Sequence, residues 1–257
     1  MKLAVVIGHN SRSQGAVRSD TNESEWEYNN HLYEYMVYVA ANYRDLEIQK
    51  FLREPYGGYS KEIENVYNAT DNWGADATVE LHFNAAGDPS ATGTETLSSG
   101  SSKSVLLAQE VQMELVETLG LRDRGIKIRN SRTKGRGYLS LVSGNAPAII
   151  AEPFFATSKA GRLSSDSENE RRKIAEAIVE GAYKAMKWSD RIAFAQTLTE
   201  PVPIWDDLVI SGEPTIIYAA TGTGKSVIDE CVMFHACHST WKMPDMGYGL
   251  AEPLRGV

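Results

Sequence analysis

Leu3-Ala-Val-Val-Ile-Gly-His9-Asn10, near the start of the chain, decides how the rest is read. Five consecutive apolar residues rich in Val and Ile predict a strand covered on both faces, because a half-exposed strand would alternate with polar residues. Gly8 then permits a sharp exit, and His9 is the first functional side chain past the strand. The same grammar recurs twice. An apolar run over 75–81 ends at His82, and another over 148–151 ends at Glu152. Between these runs, apolar residues at helical spacing predict helices over 25–43, 59–71, 102–119 and 168–187, the last marked by Ile174, Ala177, Ile178, Ala182 and Met186. Strands alternating with helices place the chain in the α/β class, as a twisted, mainly parallel mixed sheet flanked by helices on both faces. Antiparallel additions are expected at 46–51 and 93–97. In such sheets, sites form where strands end and loops begin.

The 257 residues hold one large domain with a small C-terminal appendage. After Trp188 the helix and strand rhythm fades and two prolines, Pro201 and Pro203, mark a linker, so the expected division is 1–190 and 200–257. Hydrophobic residues at 42% and charged residues at 23% suit a soluble globular chain. No apolar stretch approaches the roughly 20 residues needed to span a bilayer, so stable membrane association is not expected. A net charge of −8 leaves no overall basic field for nucleic acid. One local exception, 122–136, carries seven Arg or Lys residues and reads as a basic surface loop. Cys231 and Cys237 are too few for a disulfide framework.

A catalytic zinc ion needs about three protein ligands from neutral imidazoles and carboxylates, with a position left open for water. His9 and His82, each at a strand end, can converge from distant parts of the chain. A third ligand is available in the acidic cluster Glu23, Glu25 and Glu27, which opens a helix whose inward stripe runs through Leu32, Met36 and Val39 or Ala40. Helical phase favours Glu25 over Glu27. Glu152 ends its strand before Pro153, which keeps it extended, and a carboxylate there suits a general base. Each residue also has an ordinary reading: a hydrogen-bonded histidine, a glutamate favourable to the helix dipole, a surface charge.

The surroundings of these residues resemble the zinc-dependent N-acetylmuramoyl-L-alanine amidases over about residues 3–187. Val5-Val-Ile-Gly-His9 with Gly15-Ala16 is similar to that family's opening strand and metal histidine. Glu25-Trp-Glu-Tyr-Asn29 resembles its ligand-bearing helix, a second ground for Glu25 over Glu27. Ala75-Asp-Ala-Thr-Val-Glu-Leu-His82-Phe-Asn-Ala85 resembles the segment of the second metal histidine. Gly93-Thr-Glu-Thr-Leu97, Asp123-Arg-Gly-Ile-Lys127 and Pro147-Ala-Ile-Ile-Ala-Glu152 follow in the family's order. The resemblance implies a peptidoglycan hydrolase that cuts the bond between N-acetylmuramic acid and L-alanine, with His9, Glu25 and His82 on zinc and Glu152 as base. One departure stands out: Gly-His-Asn-Ser replaces the usual Gly-His-Gly-Gly, which keeps the ligand but changes the turn. Met1-Lys2 leads straight into the first strand, so no classical secretory signal is expected. That suits an enzyme made in the cytoplasm that meets the wall after release or non-classical export, as a phage or prophage endolysin does.

The tail adds Ala219-Ala-Thr-Gly-Thr-Gly-Lys225-Ser226, close to a phosphate-binding loop but with Ala in place of the first Gly. It also holds Cys231, His235, Cys237 and His238, all metal-capable, and Trp205 and Trp241, which can stack on sugars. A wall-binding or oligomerisation role is the expectation for 200–257. Two rivals to the enzyme stand beside it: a non-catalytic wall-binding protein, and a nucleotide-binding protein acting through Lys225.

Overall fold

The computed structural model describes residues 1–197. A six-stranded sheet is built from β1 (Lys2–Ile7), β2 (Glu47–Leu52), β3 (Ala77–Leu81), β4 (Thr94–Ser98), β5 (Asp123–Ile128) and β6 (Ala148–Glu152), in the order β2-β1-β3-β6-β4-β5. Every pair is parallel except β4 with β6, which runs antiparallel. Among the described residues six helices accompany it: α1 (Glu25–Ala40), α2 (Tyr59–Trp73), α3 (Ser102–Leu119), α4 (Tyr138–Val142), α5 (Lys159–Leu163) and α6 (Glu168–Thr197). This is the mainly parallel mixed sheet expected from the strand and helix alternation.

Alternation along β1 assigns the two cores. Leu3, Val5 and Ile7 point to one face, where they pack with Leu32 and Met36 of α1, Leu107 and Val111 of α3 and Ile174 and Ile178 of α6. Ala4 and Val6 point to the other, against Ile63, Val66 and Tyr67 of α2. A third small cluster joins Leu97, Ile150 and Leu141 of α4. Both faces are therefore covered, which is why β1 and β6 read as near-continuous apolar runs, while β3 holds two polar residues, Thr78 and Glu80, buried.

Two expectations are corrected. The 46–51 segment is not an antiparallel addition: β2 pairs parallel with β1, from Lys2↔Glu47 to Ile7↔Leu52. Its alternating exposure is that of an edge strand, which resembles a hairpin partner in sequence, but the chain reaches it through α1 and so returns to the same end of the sheet. The 122–136 segment is not wholly a loop, because its first half is the edge strand β5. Edge strands tolerate charged side chains that a central strand would not. The 93–97 expectation holds in part, since β4 is antiparallel to β6 but parallel to β5.

Helix α1 begins where its cap dictates. The Ser24 hydroxyl accepts from the Glu27 backbone N–H while the Glu27 carboxylate accepts from the Ser24 N–H at 2.9 Å, a complete capping box. The loop before it is pinned by Arg18, whose fully buried guanidinium reaches Ser165 and Asp20 and lies over the rings of Tyr28 and Phe154. Helix α6 continues past 187 to Thr197. The linker, the phosphate-loop-like segment with Lys225, the Cys231, His235, Cys237 and His238 cluster, and Trp205 and Trp241 all lie outside the described residues.

Candidate metal centre

Because β1, β3 and β6 are parallel neighbours, their C-terminal ends share one edge of the sheet. Gly8 N–H donates to Leu81 O at 3.0 Å, and His82 N–H to Ala151 O at 3.1 Å, so the pairing extends just beyond the strands and brings His9, His82 and Glu152 to that edge. Gly8 is required there. A Cβ at this position would stand 2.4 Å from Leu81 O and 2.5 Å from the His82 ring. The chain then turns at His9, whose φ of 66° is uncommon for a residue with a side chain. Asn10 secures that turn, its side-chain oxygen accepting from Arg12 N–H at 2.9 Å and Ser13 N–H at 2.8 Å. This is the structural content of the Asn in Gly-His-Asn-Ser.

Glu25 arrives from the opposite core as the first residue of α1, only 1% exposed. Its Oε1 lies 2.7 Å from His82 Nδ1 and accepts from Phe83 N–H at 3.2 Å, while Oε2 accepts from Ala16 N–H at 3.3 Å. The His9 and His82 rings sit edge to face, 5.0 Å apart. One donor atom each from His9, Glu25 and His82 lies within 4.8 Å of the others. Glu27, the alternative, is exposed and occupied as the helix cap.

Opposite charges meet in this cluster. Burial pushes the Glu25 carboxyl up, yet His82 and His9 outweigh it and hold the group well below the usual carboxylate range. Burial pushes His82 down, but Glu25 and Glu80 on its two nitrogens raise it to about 10. His9 Nε2 is 3.1 Å from Glu25 Oε2 but off the hydrogen-bonding direction, and this buried nitrogen has no hydrogen-bond partner among the described residues. A divalent ion among these donors would satisfy Nε2 of His9, Nδ1 of His82 and the carboxylate together. The donor set, imidazole and carboxylate, is the one zinc takes in catalytic sites.

Glu152 is 5% exposed, and its Oε2 has no hydrogen-bond partner among the described residues. Burial raises the carboxyl to about 7, with His82 working against that rise and the charge of Glu25 with it. A carboxyl poised there exchanges its proton near neutrality, as a general base must. Residues beyond the four candidates also shape the site. Asn29 Nδ2 donates to Leu81 O at 3.2 Å, tying α1 to the strand end. Glu80, Arg53 and Glu62 form a buried ionic cluster behind His82. In sequence Glu80 is one of two acids, with Asp76, inside the run 75–81.

Two imidazoles and a buried carboxylate at a sheet's C-terminal edge, beside an acid with a raised pKa, are the parts of a metal-assisted hydrolase centre. The chain belongs to the N-acetylmuramoyl-L-alanine amidase family (Amidase_3), whose model matches residues 3–184. Among solved structures, an N-acetylmuramoyl-L-alanine amidase from Clostridium difficile 630 is 25% identical, with a TM-score of 0.62 over 72% of this chain and 96% of that one. The catalytic domain of CwlV from Bacillus (Paenibacillus) polymyxa shares the fold at 21% identity and a TM-score of 0.62, covering 73% of this chain and 99% of that one. The catalytic domain of the CD27L endolysin does so at 23% and 0.59, covering 72% and 97%. In sequence, the uncharacterized protein YqiI of Bacillus subtilis strain 168 is 34% identical over 46% of this chain and 54% of its own length. An uncharacterized cell wall amidase of Bacillus anthracis is 30% identical over 47% of this chain and 25% of its own. The chain thus matches about half or less of these curated relatives.

Proposed function

We propose that residues 1–190 are a zinc-dependent peptidoglycan amidase that hydrolyses the amide between N-acetylmuramic acid and L-alanine. One observation carries this reading: His9, Glu25 and His82 converge at the sheet edge with a buried imidazole nitrogen that makes no hydrogen bond among the described residues, beside the raised carboxyl of Glu152. His9, Glu25 and His82 would hold the ion, which when bound supplies a Lewis acid and makes water easier to deprotonate. Glu152 takes the proton of the attacking water on its free carboxylate oxygen. Water oxygen bonds to the lactyl carbonyl carbon, the C–N bond breaks, and Glu152 returns the proton to the leaving alanine nitrogen. The products are a muramic carboxylate and a free alanine amine. Phe83 N–H and Ala16 N–H keep the Glu25 carboxylate in place throughout.

The likeness extends to cell wall amidases and to an endolysin alike, so the proposal is made at the level of the bond cut. Its test is digestion of purified peptidoglycan by the full chain loaded with zinc. Expected are new alanine amino termini without new reducing sugar ends, abolished by chelator and by Glu152→Gln. Zinc-loaded protein that releases no peptide overturns the reading and leaves the wall-binding alternative.

A further inference from the structure

Two carboxylates, a guanidinium and a carboxamide lie buried in a row behind the candidate centre. Glu80 is fully buried in β3, two residues before His82 and on the same face. Its Oε1 is 3.0 Å from His82 Nε2, the ring nitrogen turned away from Glu25, and its Oε2 accepts from the Tyr67 hydroxyl at 2.9 Å. Arg53, just past β2, stands 3.6 Å from Glu80 Oε1 and donates to Glu62 Oε2 at 3.3 Å. Glu62 Oε2 in turn accepts from Asn10 Nδ2 at 2.9 Å. Asn10 is the residue that closes the turn after His9.

We propose that this row is the mount of the metal centre: Glu80 orients the His82 imidazole so that Nδ1 faces the ion, and Asn10, held through Glu62 and Arg53, sets the turn that presents His9. The inference rests on the zinc reading above. Its physical basis is the constraint each contact imposes. A carboxylate accepting Nε2–H fixes one tautomer of the ring, leaves the Nδ1 lone pair free for a metal and makes it a stronger donor. At the other end, a left-handed turn at a residue with a Cβ persists only where its surroundings impose it. Three donors on Asn10 and its neighbours supply that constraint, and Glu62 couples it to the wall behind His82.

Charge supports the same role. Glu80 and Glu62 face one guanidinium, leaving the row one negative charge in excess next to the histidines. A row built only for stability gains little from buried ions, since well-packed apolar side chains often serve as well or better. An excess of negative charge is favourable beside a divalent ion.

The experiment uses the full chain and zinc itself. Zinc affinity is measured by competition with a chromogenic chelator for wild type, Glu80→Gln and Asn10→Ala, with unfolding of the chelated proteins measured in parallel. Glu80→Gln leaves Arg53 paired with Glu62 and preserves volume. Its zinc affinity is expected to fall about 10- to 100-fold, and Asn10→Ala is expected to weaken zinc by a smaller factor. The cobalt-substituted Glu80→Gln protein should show shifted visible bands. Zinc affinity of Glu80→Gln within twofold of wild type overturns the mount while leaving the centre intact. Wild type that binds no zinc overturns the centre itself. Should Glu80→Gln fail to fold, nitrogen-15 NMR of zinc-loaded wild type decides. Metal on His82 Nδ1 with a proton on Nε2 is expected, and metal on Nε2 overturns the proposal.

Discussion

His82 Nδ1 lies 2.7 Å from Glu25 Oε1, although 57 residues separate them and the two side chains come from elements on opposite sides of the sheet edge. The pair places one neutralising contact at the point where strand β3 and helix α1 meet.

This geometry separates the two acids of the α1 start. Glu25→Ala should abolish zinc binding, read as loss of a stoichiometric ion in titration calorimetry. Glu27→Ala should leave zinc binding unchanged and cost about 1 kcal/mol in unfolding, the usual worth of a helix cap.

Glu152 should weaken the fold it serves. Its carboxyl titrates at about 7 in the folded chain against 4.5 unfolded, so the fold binds the proton more tightly. Stability from this group is full below pH 4.5 and is lost as pH rises toward 7. Glu152→Gln removes the loss. In chelated protein it should match wild type near pH 4 and exceed it by on the order of 2–3 kcal/mol above pH 7, while releasing no alanine amino termini. Urea unfolding across that range, with wild type more stable at pH 8, would contradict the raised carboxyl.

Gly8→Ala should damage the centre through sterics alone. The new methyl would stand 2.4 Å from Leu81 O and 2.5 Å from the His82 ring, so the backbone or the ring must move. A stability loss of about 1–3 kcal/mol is expected, with at least a tenfold loss of zinc affinity in the same chelator competition.

Arg18→Met tests the loop that precedes α1. Removing the buried guanidinium leaves Ser165 without its donor and Asp20 with only the longer contact to Arg162 at 3.8 Å, and the fold should lose about 3 kcal/mol in urea unfolding. Zinc stoichiometry should be retained, because Arg18 touches none of the three donors.

Much of this was legible in the chain. Three apolar runs ending in His9, His82 and Glu152 are readable because a strand buried on both faces is mostly apolar until it ends. Glu25 over Glu27 is readable because helical phase links an opening residue to a stripe three turns away. Less legible was β2, whose edge exposure mimics a hairpin partner, and β5, whose charges suit an edge strand and a loop equally. Glu80 was visible only as an exception to its run, and its partners Arg53, Glu62 and Asn10 carry no shared spacing.

The sequence by itself determined which residue types end the central strands and which helix brings an acid toward them, because burial periodicity is a local property of the chain. Only the tertiary structure decided the direction of β2, the pairing of Glu25 with His82 and the row from Glu80 to Asn10. Strand direction follows from whether the connection crosses back to the end of the sheet where the previous strand began. A buried charge persists only where the fold supplies its partner, as Arg53 does for Glu80 across the sheet.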